Sequence, residues 1–294
     1  MSGVGGGEAG QSSEPGAKEA PGYAGVLRIF PPEEGATRIV LIRHGEAECN
    51  LNHVIGGPKG CTGLSDLGRR QVAALADRLF ESGELRQATT LYSSVLPRAV
   101  ETAERLRPVV GPGPTALGPV RQRCDLCEVY PGESDGLEWT ELIETHGVPD
   151  WDNDPAVPIA PGGESWTSFV ARASDGVRAI VREHPGELVV AAVHAGVIEA
   201  TMIAFLGVAP EIYRRGWVRI VHASMTEWEW VPSENRFVLL RFNDWCGVPR
   251  APEKGSGSES GSGVAEEGLG QTVGRTGKPG ILDRLTQGLL GGRP

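Results

Sequence analysis

Apolar runs and amphipathic runs alternate through the middle of the chain. Thr37–Arg43, TRIVLIR, is a continuous apolar stretch rich in β-branched residues, the pattern of a strand buried on both faces. Ser65 or Asp66 caps a segment running to about Glu81, whose apolar stripe is Leu67, Val72, Leu75 and Leu79. Thr89–Ser93 reads as a second strand, Pro97–Leu106 as a helix with proline in its first turn, and Val120–Cys124 as a further strand. Gly163–His184 is periodic as a helix, with Trp166, Phe169, Val170, Ala173, Val177, Ile180 and Val181 on one face. Leu188–Val193 predicts another buried strand and a helix follows to about Phe205. Met225–Trp230 and Arg236–Phe242 alternate around the polar turn Pro232–Asn235 and predict a hairpin. This order predicts an α/β fold: a single three-layer domain, with a mostly parallel sheet, helices on both faces and a C-terminal hairpin. In such sheets ligands gather beyond the carboxyl ends of the strands.

Composition trims the ends. Nearly half of the 42 glycines fall in residues 1–25 and 251–294. Residues 1–25 have almost nothing to bury and read as a disordered N-terminal tail. Residues 251–294 read as a low-complexity Gly/Ser-rich tail, opening on the linker-like APEKGSGSESGSG. Within it, Ile281, Leu282, Leu285, Leu289 and Leu290 have the spacing of a short helix over Gly280–Leu290. Residues 26–250 remain as one domain with a sizeable core.

A net charge of -10 argues against a nucleic-acid partner, because phosphate backbones demand a basic face. Five cysteines at irregular spacing do not make a secreted disulfide framework, and Cys124-Asp-Leu-Cys127 stands without partner ligands, which favours an incidental role. Leu188–Gly207 imitates a membrane span but carries His194 and Glu199 in its interior. The first residues lack a basic and then apolar leader. The expectation is a soluble cytoplasmic protein that engages neither membrane nor nucleic acid.

Polar groups cluster where strands stop. Arg43-His44-Gly45 ends the first strand, Ser93-Ser94 the second with Arg98 shortly after, and His194-Ala195-Gly196 the strand at 188–193. Each histidine is expected at the mouth of the sheet, within reach of water and ligand. Imidazole can carry a phosphoryl group covalently, and the transferring group needs cations and N–H donors about its oxygens. Arginine offers a planar fork matching two phosphate oxygens, and nearby arginines keep an imidazole unprotonated. A leaving alkoxide needs a proton, for which Asp125, Glu128, Glu133 and Glu138 are the acidic candidates. His53, His146, His184 and His222 belong to no such constellation and read as surface or core residues. Trp139, Trp151 and Trp166 are candidates for a substrate pocket, with packing the commoner fate of tryptophan.

VLIRHGEAECN at 40–50 resembles the opening signature of the histidine phosphatase superfamily, the phosphoglycerate-mutase-like proteins of branch 1. LSDLGRRQ at 64–71, YSSVLPRAVETAE at 92–104, PGGES at 161–165 and VVAAVHAGVI at 189–198 are similar to later segments of that family, in the same order. The resemblance implies His44 as phosphohistidine nucleophile, Arg43 and Arg98 as phosphoryl-holding arginines, His194 as second pocket histidine and Asn50 as a phosphate-pocket asparagine. It implies Glu128, in LCEVYPGE, as the acid that protonates the leaving group and then activates water. The following ESDGLEW departs from the family's Gly-aromatic-Glu-Gly run, which keeps Glu133 as a competitor. There is no His-Asp at 194–195, against the phytase-like branch.

The implied activity is hydrolysis of a small phosphate ester by a catalytic domain over 26–250, with no metal and no cofactor. Two alternatives stand beside it. A phosphoglycerate-mutase-type phosphomutase is disfavoured by the acidic segment from Glu128 to Glu144, which offers a poor roof for highly phosphorylated ligands. A non-catalytic module that binds phospho-ligands would need a blocked pocket or a displaced Glu128.

Overall fold

Every predicted strand and long helix forms within a few residues of its expected ends in the computed structural model, which describes residues 33–112, 117–208 and 218–248. The proposed tails and the helix at 280–290 lie outside the described residues. The strands are β1 (Thr37–Arg43), β2 (Ala88–Ser94), β3 (Arg121–Arg123), β4 (Leu188–Val193), β5 (Met225–Val231) and β6 (Arg236–Asp244). They form one sheet in the order β3-β2-β4-β1-β5-β6. β1 to β4 run parallel, and β5 and β6 form the antiparallel hairpin at one edge.

The period of two in the strands divides the core. Ile39, Leu41, Val189, Ala191 and Val193 face one side and meet Phe169, Ala173, Val177 and Ile180 of α5 (Trp166–Glu183) and Val197 and Ile198 of α6 (Ala195–Leu206). Val40, Ile42, Val190 and Ala192 face the other and meet Val72, Leu75 and Leu79 of α2 (Asp66–Ser82) and Ala103 and Leu106 of α3 (Pro97–Leu106). Each fully buried Val, Leu, Ile or Phe contributes roughly 1.5–3 kcal/mol of transfer free energy. This is the three-layer α/β domain that the alternation predicts.

Two elements escaped the pattern: α1 (Glu48–Leu51) and α4 (Trp139–His146). Both are too short to show a full apolar stripe. The helix expected over Gly163–His184 starts later, at Trp166, because the Ser165 hydroxyl accepts from the Ser168 N–H and stops the chain from winding earlier. The strand expected over Val120–Cys124 contracts to three residues before a 3-10 turn at Cys124–Leu126. α6 stops at Gly207, whose φ of 62° supplies the left-handed turn. Packing claims the tryptophans: Trp139 and Trp151 are buried in the core and Trp166 stacks on Trp151 at 5.5 Å. No helix among the described residues is long and apolar enough to cross a membrane.

Candidate active site

Register brings the strand ends together. β1 and β4 are neighbours with Arg43 opposite Val193, so His44 and His194 leave the sheet at the same level. The His44 N–H donates to the Val193 carbonyl at 3.0 Å. β2 flanks β4 with Ser93 opposite Ala192, which sets Ser94 beside His194. The imidazoles of His44 and His194 lie 5.1 Å apart, edge to face. Sequence order between them is crossed because β4 inserts between β2 and β1.

The loop after β1 is held by close backbone packing. A Cβ on Gly45 would lie 2.5 Å from the Gly68 carbonyl oxygen, and one on Gly68 would lie 1.9 Å from that of Glu46. Glycine at both positions lets the first turn of α2 rest on the loop, which is the physical content of the LSDLGRRQ segment. Ser65 caps that turn, and its hydroxyl also donates to Glu46.

His44 is oriented by two bonds. Its Nδ1 lies 2.6 Å from the Gly45 carbonyl oxygen, which can only accept, so Nδ1 carries the proton. Nε2 is then a bare lone pair, and it accepts from Arg98 Nε at 3.0 Å. Arg98 stands in the first turn of α3, directly after Pro97, and its Nη1 donates to the Gly56 carbonyl at 2.6 Å. Arg43 donates to the Ile220 carbonyl. Nε2 of His194 pairs with the Ser94 hydroxyl at 2.7 Å, while its Nδ1 is buried and meets no partner among the described residues.

Both histidines are 0 % exposed, so the expectation that they sit open at the mouth of the sheet is corrected. Burial, then the positive charge of Arg98 and the other neighbours, lowers both imidazoles well below the usual histidine range. They are neutral at physiological pH. Burial also pulls Arg43 down to about 9, which leaves it charged. Burial opposes the charge on Arg98 too, but Cys61, Cys49 and Glu128 raise it above the ordinary value.

Glu128 is 3 % exposed. Its Oε2 accepts from the Gly196 N–H in the first turn of α6 at 3.1 Å, and its Oε1 accepts from the Val129 N–H at 3.1 Å. The carboxylate is therefore held one turn from His194 and within electrostatic reach of Arg43 and Arg98. Glu133 is exposed at the surface, and its backbone N–H bonds Pro161. Asn50 is buried with its Oδ1 on the Ala47 N–H, where it fastens the short α1. The other acidic candidates serve the scaffold: Asp125 pairs with Arg123, and Glu138 faces solvent.

Two contributions were not legible beforehand. His222 lies 5.8 Å from the His44 ring, is 9 % exposed and has a buried Nε2 with no partner among the described residues. Its turn is made by Ala223 in the left-handed region at φ 54°, whose N–H bonds the Arg43 carbonyl. No glycine advertises that turn, so His222 looked isolated. Arg172 on α5 grips Glu164 through Nε and Nη2, both at 2.7 Å, and donates to the carbonyls of Asp125, Cys127 and Glu128. PGGES thus supplies, in Glu164, the anchor for the arginine that shapes the Glu128 segment.

The arrangement gathers an imidazole with a bare Nε2, a second imidazole, two guanidinium groups and a carboxyl group at the ends of neighbouring strands. Residues 39–244 match the family model of the histidine phosphatase superfamily, branch 1. Among similar proteins is a metal-independent phosphoserine phosphatase of Arabidopsis thaliana, 33 % identical over 174 residues, covering 57 % of this chain and 68 % of the relative. A 2,3-bisphosphoglycerate-dependent phosphoglycerate mutase of Brucella anthropi is 30 % identical over 178 residues, covering 59 % and 83 %. A solved structure of mycobacterial glucosyl-3-phosphoglycerate phosphatase with VO3 matches at a TM-score of 0.57 and 28 % identity, covering 70 % of this chain and 99 % of that one. With more than half of its length matched by the family model and its two histidines meeting at adjacent strand ends, the chain belongs to branch 1 of the histidine phosphatase superfamily.

Proposed function

We propose that the protein is a metal-independent phosphomonoester hydrolase that works through a phosphohistidine on His44. The observation that carries the reading is the His44 tautomer: Nδ1 protonated on Gly45, Nε2 bare and aimed at Arg98. In the first step Nε2 attacks phosphorus, the ester P–O bond breaks and Glu128 gives a proton to the departing oxygen. In the second, the Glu128 carboxylate takes a proton from water, whose oxygen attacks phosphorus and breaks the N–P bond. Arg43, Arg98 and the Nδ1 side of His194 hold the equatorial oxygens, and the Arg98 N–H groups move from the Nε2 lone pair to the phosphoryl group as it enters. Asn50 joins through its amide nitrogen, since its oxygen is engaged by Ala47. These cations supply the charge that a metal would otherwise provide.

The substrate is a small phosphorylated metabolite. By their names, two of the relatives act on phosphoserine and on glucosyl-3-phosphoglycerate. Five free cysteines suit a cytoplasmic setting. A panel of phosphoserine, phosphoglycerates, phosphosugars and nucleotides, run in EDTA with free phosphate as readout, tests the reading. Full turnover in the chelator and its loss in His44→Ala are expected. Abolition of turnover by EDTA would contradict the scheme.

The phosphomutase reading is favoured by one observation, the likeness to the Brucella mutase. Against it, the segment from Glu128 to Glu144 presents exposed Glu133, Glu138, Glu141 and Glu144, not the basic surface that would hold a bisphosphate. Conversion of 3-phosphoglycerate to 2-phosphoglycerate without release of phosphate would establish the mutase.

A further inference from the structure

His222 reaches the site from the strand on the other side of β1. β1 has β4 along one edge and β5 along the other, and β5 runs antiparallel with Met225 opposite Ile42. The residues just before β5 therefore arrive at the same end of the sheet as those just after β1 and β4. The rings of His194 and His222 stand 5.1 and 5.8 Å from that of His44. The turn that carries His222 is fastened to Arg43 three times over. The Ala223 N–H donates to the Arg43 carbonyl and the Arg43 N–H to the Ser224 carbonyl, both at 3.0 Å, and the Arg43 guanidinium donates to the Ile220 carbonyl. β6 holds the turn as well: Asn243 Oδ1 accepts from the Val221 N–H at 2.8 Å, and its Nδ2 donates to the Arg219 carbonyl at 2.7 Å. Ala223 at φ 54° and Asn243 at φ 51° both lie in the left-handed region, which persists where the surroundings over-determine it.

His222 is thus a fixed ring. Its Nε2, the ring nitrogen farther from the backbone, is buried and meets no partner among the described residues, and the same holds for Nδ1 of His194. A buried nitrogen without a partner costs stability, and an apolar side chain would fill the place without that cost, so the histidine calls for a ligand that supplies the partner. We propose that His222 is a further phosphoryl-binding residue, its Nε2–H donating to a non-bridging phosphate oxygen on the Arg43 side of His44. Burial first, then the charges of Arg43 and Arg98, keeps the free ring neutral, with one N–H to give. His194 serves the flank toward β4 and His222 the flank toward β5. The proton stays on His222 throughout, so no step of the transfer passes through it. The contact rests on the phosphoryl group binding at His44, but not on whether water or a second hydroxyl finally accepts that group.

The experiment titrates the full chain, ¹⁵N-labelled at histidine, with inorganic phosphate and records long-range ¹H–¹⁵N spectra. Inhibition of p-nitrophenyl phosphate turnover by phosphate is measured in parallel. The His222 ring nitrogens, assigned through bonds to the backbone, should shift on phosphate binding and show Nε2 protonated. His222→Phe keeps a ring but not the donor. It should weaken phosphate inhibition and lower kcat/KM, each by roughly tenfold to a hundredfold, the scale of one hydrogen bond to a charged group. His222→Gln, which restores a side-chain N–H, should recover most of both, and His146→Phe, at the exposed end of α4, should change neither. His222 nitrogens that stay unshifted at saturating phosphate would overturn the assignment. So would a His222→Phe protein whose kcat falls while phosphate inhibition is unchanged, since that marks packing alone. The spectra of the unsubstituted chain decide the point even if His222→Phe fails to fold. A shifted His222 without a phosphohistidine on His44 would strike the reaction scheme and leave this contact standing, whereas a phosphorylated His44 with an unshifted His222 would strike the contact alone.

Discussion

Replacing Gly196 by alanine pushes directly on the proposed acid. The new Cβ would lie 2.2 Å from Glu128 Oε1 and 3.0 Å from its Cδ, against about 3.4 Å for ordinary contact. The nearest atom is the end of a flexible side chain, so the carboxylate retreats by about 1 Å, loosening its bond to the Gly196 N–H; the Cβ also meets Phe169 Cζ of the buried core at 2.9 Å, so some stability is lost with it. Misplacement on that scale costs on the order of 10²-fold when the group must meet a reacting atom. General acid catalysis itself is worth about 10²–10⁴-fold, so the loss approaches that of removing the acid. The assay compares an alkyl phosphate with p-nitrophenyl phosphate, whose phenolate leaves with little protonation. For Gly196→Ala, kcat/KM should fall roughly 10²-fold on the alkyl ester and less than about tenfold on the aryl ester. Gly196→Ala combined with Glu128→Gln should be no worse than Glu128→Gln alone, because both act through one carboxyl group. A folded Gly196→Ala protein that loses both substrates equally or neither would refute the reasoning.

Arg172→Met removes the clamp on the Glu128 segment and leaves Glu164 without its bidentate partner. It should cost about 1–3 kcal/mol of stability in urea titration and lower kcat more than it changes KM, the mark of a positioning residue rather than a substrate contact. Acid should destabilise the fold through His44, His194 and His222, all lowered by burial first and by arginine charge second. Below pH ~6.5 the unfolded chain binds a proton on each of these imidazoles and the folded chain does not, so stability is present above that pH and lost below it. Three such groups remove ~4 kcal/mol between pH 8 and pH 5.5. Urea midpoints at the two pH values measure the change, and equal or greater stability at pH 5.5 would contradict the neutral burial of these rings.

The sheet, its two faces and most element ends were legible because strands buried on both sides and amphipathic helices leave unbroken periodicities. TRIVLIR and LVVAAV have the pattern of central strands; Arg43 ends the first, and His44 and His194 follow the two without a gap. The burial of Glu128 against the exposure of Glu133 needed the fold: both are loop acids in one short stretch, and the backbone N–H that holds Glu128 belongs to Gly196, 68 residues later. His222 and Arg172 were hidden for related reasons. One depends on a left-handed alanine that no turn code predicts, and the other looked like a polar position on the outer face of a helix. The burial of both histidines was also illegible, since a polar residue at a strand end reads the same in the sequence whether it is covered or open.

The central claim is a covalent bond between the His44 imidazole and phosphorus, and acid-free quenching with a ³²P-labelled substrate tests it most directly. The tryptic peptide running from His44 to Lys59 should carry an acid-labile, alkali-stable label within one turnover, and His44→Ala should carry none. Turnover at the wild-type rate with no label on that peptide, or with the label unaffected by His44→Ala, would contradict the account.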